Sequence, residues 1–416
     1  MKVFFKTFGC RTNIYDTELM KSYAGQGELA AGEDEADVVV VNSCTVTNSA
    51  DSGVRNYINH ARGLGKKVIL AGCGAVSRGE ELYKSGNVFG VLGGGKKSEL
   101  FKFARAGERF FALGDLNFAE TNTVASYENH TKAFLKIQEG CDFACSYCII
   151  PSVRGKSRSV SEDLLLSEAS NLISGGFTEL VLTGTNIGSY GKDAGSSLGA
   201  LLQKLGALKG LRRVRLGSIE PAQIDEAFME ITAEPWLERH LHIALQHTSQ
   251  KMLTIMRRRN RALKDLALFE DLASRGFALG TDFIVGHPGE SEEVWEEALE
   301  NFKRFPLTHL HAFVFSPREG THSAQLTGRV NGEVAKNRLK TLKNIVLVNN
   351  FKFRTAHAKE PLFILVEERG KDGLYGGFDQ FYNKIKIESN SNLNKKWLEI
   401  NAYEVKADEN RAQVQI

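Results

Sequence analysis

Cysteine is scarce and unevenly placed in this chain: there are six among 416 residues and none from 149 to 416. So few thiols in so long a chain do not make a disulfide-stapled scaffold, and point instead to metal or redox chemistry in a reducing compartment. No apolar run approaches the roughly 18 residues that a membrane span needs, and MKVFFKTFGC lacks a signal-peptide core. The chain therefore reads as cytoplasmic, with no membrane partner. Neither sign of charge dominates: 53 Lys and Arg stand against 50 Asp and Glu, a net +3. A polyanionic partner would have to be held by local patches. With 42% hydrophobic and 25% charged residues the chain is globular, neither disordered nor fibrous, and long enough for two to four domains.

What is there is concentrated. The stretch EGCDFACSYCIIP, residues 139–151, holds Cys141, Cys145 and Cys148 within eight residues. A structural zinc site closes with four Cys or His ligands, normally as two spaced pairs, and no second pair follows. Zinc with His130 as fourth ligand is one reading. The other is a [4Fe–4S] cube with three thiolate-held irons and a fourth iron free to bind substrate or cofactor.

Residues 1–120 carry three β-like runs, Val3 to Lys6, Val38 to Val41 and Val68 to Ala71, alternating with helix-compatible stretches. Each run ends in a cysteine, at Cys10, Cys44 and Cys73. In an open parallel α/β sheet, of Rossmann-like type, the loops after the strands share one edge, where ligands bind. Three distant thiols can thus converge, although any one of them is also a good packing residue beside a strand.

Between 131 and 356 six apolar runs, at 134–137, 178–182, 212–216, 241–245, 279–285 and 309–315, alternate with helical patterns. They fit a parallel sheet curved into an incomplete (β/α)6 barrel of TIM-like type, with the cysteine triplet in the loop after its first strand, the catalytic end. Ser159 and Glu162 are spaced as a capping box for the next helix. After a basic helical stretch from Asn331 to His357, residues 357–416 hold short strands at Leu362 to Val366, Lys384 to Ile387 and Trp397 to Tyr403, with a Gly-rich turn at 370–377. This is the pattern of a small β-barrel.

CxxxCxxC in the first loop of a barrel, with Tyr147 before the last cysteine, resembles the radical S-adenosylmethionine enzymes. The blocks CIIPSVRGKSRS (148–159), TGTNIGSYG (183–191), SIEP (218–221), HLHIALQ (240–246), MRRR (256–259) and DFIVGHPGES (282–291) resemble those of its methylthiotransferases. Upstream, TFGCRTNIYDTE, NSCTVTNSAD and AGCGA resemble that family's N-terminal cluster domain, and CTVTN is most similar to the branch acting on N6-threonylcarbamoyladenosine in tRNA. The C-terminal stretch LVEERGKDGLYGGFDQFYNKIKI resembles a TRAM module.

The resemblance implies two [4Fe–4S] clusters, one on Cys141, Cys145 and Cys148 and an auxiliary one on Cys10, Cys44 and Cys73. S-adenosylmethionine methylates a sulfur on the auxiliary cluster, and a second molecule yields a 5′-deoxyadenosyl radical that activates C2–H of the adenosine next to the anticodon. Tyr147, Ser218, Glu220, Gln246 and Arg258 are the implied contacts to S-adenosylmethionine; a low-potential electron donor and a sulfur donor are implied partners. Isopentenyladenosine tRNA and a ribosomal protein residue are alternative substrates within the family. A non-catalytic iron–sulfur or zinc protein that binds RNA and senses redox state is the alternative outside it.

For the tRNA partner, Arg154, Lys156 and Arg158, the run Arg257 to Arg261, and Lys336 to Lys343 are candidate phosphate contacts, and Tyr375, Phe378, Phe381 and Tyr382 candidate stacking platforms. Against this, residues 356–416 count nine Lys and Arg to ten Asp and Glu. The pairs His240/His242 and His309/His311 read as barrel packing, because nothing nearby in sequence supplies further metal ligands. GGGKK (93–97) misses the Gly-x4-Gly-Lys spacing of a phosphate loop and reads as a turn.

Overall fold

The computed structural model describes residues 1–128 and 130–415. Its first sheet is parallel throughout, in the order β1 (Val3–Thr7), β2 (Val38–Ser43), β3 (Lys67–Gly72), β4 (Gly90–Leu92) and β5 (Phe110–Ala112). The valine runs of β2 are buried on both faces, as a central parallel strand requires. Met20 of α1 (Arg11–Lys21) packs on one face with Leu100, Phe101 and Ala104. Val54, Ile58 and Ala61 of α2 (Asn48–Gly63) cover the other. Strands β4 and β5 have three residues each, too short to register as periodic runs in the sequence.

A barrel of six parallel strands follows. These are β6 (Ala133–Glu139), β8 (Glu179–Gly184), β9 (Arg213–Leu216), β10 (His240–His242), β11 (Ala278–Val285) and β12 (Leu307–Val314); β7 (Arg158–Ser159) is a short antiparallel addition to β6. Hydrogen-bonded ladders join β6, β8 and β9 on one side and β10, β11 and β12 on the other. The two halves meet through isolated parallel bridges, Val214 to Leu237 and Ile219 to Ile243. The helix Gly332–Ala356 packs on β12. The helix after β7 opens at Glu162 with Ser161 as its cap residue. Ser159 is not part of a capping box, because its hydroxyl and N–H are held by Asp193 (2.6 and 2.8 Å).

The C-terminal strands are β13 (Leu362–Arg369), β14 (Tyr375–Phe378), β15 (Lys384–Glu388), β16 (Trp397–Ile400), β17 (Glu404–Val405) and β18 (Asn410–Gln413). They form one curled sheet in the order β16-β13-β14-β15-β18-β17, wrapped around Leu362, Ile364, Val366, Ile385 and Ile387. This sheet seats on the underside of the barrel. Arg213 Nη2 donates to the carbonyl of Phe363 (2.7 Å), Arg215 Nη2 to that of Asp379 (2.9 Å), and Trp397 Nε1 to Thr178 Oγ1 (2.7 Å). The aromatics that the sequence offered as stacking platforms are occupied. Tyr375 is buried in the sheet's own core, Phe381 is buried against Phe353 and His357, and Tyr382 stacks on His240 at 5.1 Å and on Phe378 at 4.6 Å. No helix among the described residues is long and apolar enough to cross a membrane.

Candidate active site

The carboxyl ends of β1, β2 and β3 deliver three thiols to one edge. Cys10 is the cap residue of α1, Cys44 follows β2, and Cys73 opens the short helix α3 (Cys73–Ser77). Gly9 (φ +100°) lies against Cys44 so closely that a Cβ there would fall 2.5 Å from Cys44 Cβ and 3.0 Å from its sulfur. Only glycine lets β1 deliver Cys10 beside Cys44. None of the six cysteines is in a disulfide.

The second triplet occupies the loop after β6. Backbone N–H of Phe143 and the side chain of Asn186 donate to Cys141 Sγ (3.5 and 3.6 Å), and Arg258 approaches Cys145 Sγ at 3.7 Å. Burial pushes the Cys44 thiol up to about 11 and that of Cys148 up to about 12, so without metal both hold their protons. Metal binding replaces those protons. Each donor set, three sulfurs beside a guanidinium, fits a thiolate-held cluster that needs compensating positive charge.

The two triplets are tied together by Arg154, six residues beyond Cys148. Its Nε donates to Cys73 Sγ at 3.1 Å. Its Nη1 reaches Asp16 (2.8 Å) and Glu139 (2.5 Å), and its Nη2 reaches Asn13 (2.5 Å). Glu139 precedes Cys141 by two residues, so one buried guanidinium bridges an N-terminal thiol and both flanks of the second cysteine loop. Lys136 extends the network to Asp16 (2.7 Å) and Glu139 (3.1 Å), and Lys97 of the GGGKK segment joins Asp16 (3.0 Å) and Glu120 (2.7 Å). Arg154 is thus no phosphate contact. Arg158, turned toward Glu139 and the Phe118 carbonyl, and Arg338, paired with Glu290, are likewise engaged, whereas Lys156, Arg257, Arg259 and Arg261 remain exposed.

A cavity of about 200 Å³ lies between the N-terminal α/β unit and the barrel, lined by Val46 and Thr47 on one side and by Tyr147, Cys148, Gln246, Asp282 and Phe313 on the other. Tyr147 also packs on Met252 and Met256. Gln246 holds a left-handed backbone (φ 65°) while bridging to Phe283 of β11. Ser218 donates to Asp282 Oδ2 (3.0 Å), and Glu220 holds Arg258 through both carboxylate oxygens, one at 2.8 Å. Arg258 is buried, donating also to the Ala244 carbonyl, and is neither solvated nor phosphate-facing. His130 sits at the opposite end of β6 from Cys141, edge-on to Tyr127 and Phe134, each at 5.8 Å, and is no fourth ligand.

The sequence reading missed where three residues act: Asn186 and Arg154 on the sulfurs, and Asp282 in the cavity. Asn186 lies inside TGTNIGSYG and Asp282 opens DFIVGHPGES, and their partners Cys141 and Ser218 come from other elements.

Residues 2–93 match the model of Uncharacterized protein family UPF0004, and residues 135–302 that of the Radical SAM superfamily. A relative from Aquifex aeolicus, named threonylcarbamoyladenosine tRNA methylthiotransferase MtaB, is 35% identical over 387 residues, covering 89% of this chain and 94% of its own. The chain belongs to the radical S-adenosylmethionine methylthiotransferase family. A Helicobacter pylori protein, which carries a methylthiotransferase name only provisionally, is 48% identical over 415 residues and covers 99% of each chain. A Fervidobacterium nodosum relative named tRNA-2-methylthio-N(6)-dimethylallyladenosine synthase is 31% identical over 94% of this chain and 93% of its own. Among solved structures, the radical S-adenosylmethionine methyltransferase TsrM from Kitasatospora setae aligns with a TM-score of 0.57 at 15% identity over 78% of this chain and 77% of its own, a likeness of fold. As a radical S-adenosylmethionine enzyme, this methylthiotransferase uses an iron–sulfur cluster and S-adenosylmethionine.

Proposed function

We propose that this enzyme is a tRNA methylthiotransferase that installs methylthio at C2 of N6-threonylcarbamoyladenosine beside the anticodon, holding two [4Fe–4S] clusters. The observation that carries the reading is the bridge from Arg154 to Cys73, which sets two cysteine triplets against one another. In this reading Cys141, Cys145 and Cys148 hold the radical cluster and Cys10, Cys44 and Cys73 the auxiliary one. The clusters and S-adenosylmethionine supply the sulfur, the methyl group and a radical able to break an unactivated C–H bond. The chain's own residues orient and enclose. Ser218, Glu220 and Gln246 contact S-adenosylmethionine, Arg258 fixes Glu220, Tyr147 lines the adenine side, and the 200 Å³ cavity takes the target base. Residues 1–120, 131–356 and 357–416 act as auxiliary-cluster, radical and accessory domains, and a low-potential electron donor and a sulfur donor serve the protein in the cell.

The threonylcarbamoyl assignment is supported by relatives of that name from Aquifex aeolicus and from Thermotoga maritima, the latter 32% identical over 92% of this chain. Two measurements test the proposal. Anaerobic reconstitution should give about eight irons per chain, falling to about four in the triple variant Cys10→Ala, Cys44→Ala, Cys73→Ala, which should still cleave S-adenosylmethionine. Nucleoside mass spectrometry of tRNA from cells lacking the gene should show loss of 2-methylthio-N6-threonylcarbamoyladenosine; loss of the dimethylallyl analogue instead would reassign the substrate.

A further inference from the structure

The four histidines that read as barrel packing in the sequence meet more closely across their strands than along them, where His240 and His242 stand 6.2 Å apart. His240 and His242 of β10 meet His309 and His311 of β12 over the intervening strand β11, with ring centroids 4.6 and 4.5 Å apart. They meet because β11 carries Gly280 at that point. A Cβ there would lie 2.7 Å from His242 Nδ1, 3.0 Å from His240 Nε2 and 3.1 Å from His309 Cβ. Two residues on, β11 supplies a carboxylate. Asp282 Oδ1 lies 3.2 Å from His242 Nε2 and 3.7 Å from His311 Nδ1, and one ligand atom from each of the three residues falls within 4.8 Å of the others.

His242 is nine-tenths buried and its Nε2, 3.2 Å from Asp282 Oδ1, is left without a hydrogen-bond partner. A buried imidazole nitrogen with no hydrogen-bond partner, beside a carboxylate oxygen and a second imidazole, is a donor set that a metal ion can satisfy. Metal–ligand bonds of 2.0–2.2 Å put adjacent ligand atoms roughly 2.9–3.4 Å apart, so the His242–Asp282 separation of 3.2 Å already fits and the His311–Asp282 separation of 3.7 Å closes with a small turn of the exposed His311 ring. The second carboxylate oxygen is already fixed by Ser218. Two histidines and one carboxylate on neighbouring strands form a donor set suited to a divalent transition ion with open coordination positions. Asp282 lines the 200 Å³ cavity and His311 is 63% exposed, so the triad borders the cavity through its carboxylate and is open to solvent through His311.

We propose that His242, Asp282 and His311 bind a divalent transition metal whose open positions take oxygen ligands from the substrate, the carboxylate and hydroxyl of a threonylcarbamoyl group. The substrate half rests on the reading under Proposed function. A dimethylallyl group offers no oxygen and cannot be held this way. His311 is then a specificity-determining residue as well as a ligand.

The test uses the enzyme with its clusters assembled, titrated with Mn²⁺ and followed by loss of the EPR signal of free Mn²⁺. Manganese suits nitrogen and oxygen donors and competes poorly for thiolates. The expected result is one Mn²⁺ per chain, with affinity at least about tenfold weaker in His311→Ala and unchanged iron and sulfide. No bound Mn²⁺, or binding indifferent to His311→Ala, overturns the site. In a second arm, anticodon-loop RNAs carrying threonylcarbamoyladenosine or dimethylallyladenosine are bound with and without Mn²⁺. Strengthening of the first alone, lost in His311→Ala, is expected. Mn²⁺ at the triad without effect on either RNA overturns the chelation, while the identity of the modified nucleoside is decided separately by mass spectrometry.

Discussion

A single guanidinium decides much about the chemistry. Arg154 places a charged N–H on Cys73 Sγ; in the proposed reading that sulfur holds the auxiliary cluster, whose reduced state hydrogen bonds and positive charge stabilise. Arg154→Lys keeps the charge among Asp16 and Glu139 but loses the directed N–H···S bond. The auxiliary cluster's midpoint potential in this variant should fall by about 60 mV, one decade for a one-electron couple, in an EPR-monitored redox titration. Iron content and the potential of the other cluster should not change. The placement of the six cysteines was legible because it is written locally, in an eight-residue spacing and at three strand ends. Arg154 was not, because a lone arginine near a cluster motif looks the same whether it meets phosphate or sulfur. Its partners Asn13, Asp16 and Cys73 lie 81 to 141 positions away. The cross-strand contact of the histidines was hidden for the same reason: alternation along a strand is visible in sequence, whereas contact across a glycine of the strand between is not.

At the scale of elements, α1 and the helix Glu162–Ser174 are joined at Glu168, which accepts from Tyr15 OH (3.2 Å) and from the N–H of Val124 (2.8 Å). Burial pushes this carboxyl up to about 7, against an ordinary value near 4.5. A proton held more tightly folded than unfolded stabilises the fold fully below pH 4.5, and that stabilisation is lost as pH rises through 7. At 1.36 kcal/mol per pH decade, the loss amounts to about 3 kcal/mol by pH 8. Glu168→Gln keeps the acceptor and removes the titration. Its melting temperature should exceed that of the parent protein at pH 8, and the gap should close toward pH 5, in paired thermal denaturation of the reconstituted proteins. The strands themselves were largely readable, since all six barrel strands fall on apolar runs. The helix start at Glu162 was not, because Asp193, which claims Ser159, comes from a distant loop.

The whole molecule is knit by its ends. The C-terminal sheet provides the carbonyls that cap Arg213 and Arg215, two arginines buried at the base of the barrel, and Tyr382 fills the space beside His240. Removing residues 357–416 should therefore harm the barrel as well as any RNA contact. Loss of two buried charged hydrogen bonds, each about 1.5–3 kcal/mol, should lower the melting temperature by roughly 10 °C. A local defect confined to tRNA affinity, with the melting curve intact, would contradict this.

Tyr382 also accepts from Arg11 (2.9 Å), across 371 positions and one residue away from Cys10. On the ribosome, the first thiol of the chain emerges long before the side chain that steadies its neighbour has been made. The segment at Cys10 reaches its final setting only after Tyr382 has been made and docked, so in the proposed reading the N-terminal triplet is finished after the C-terminal sheet and not before it.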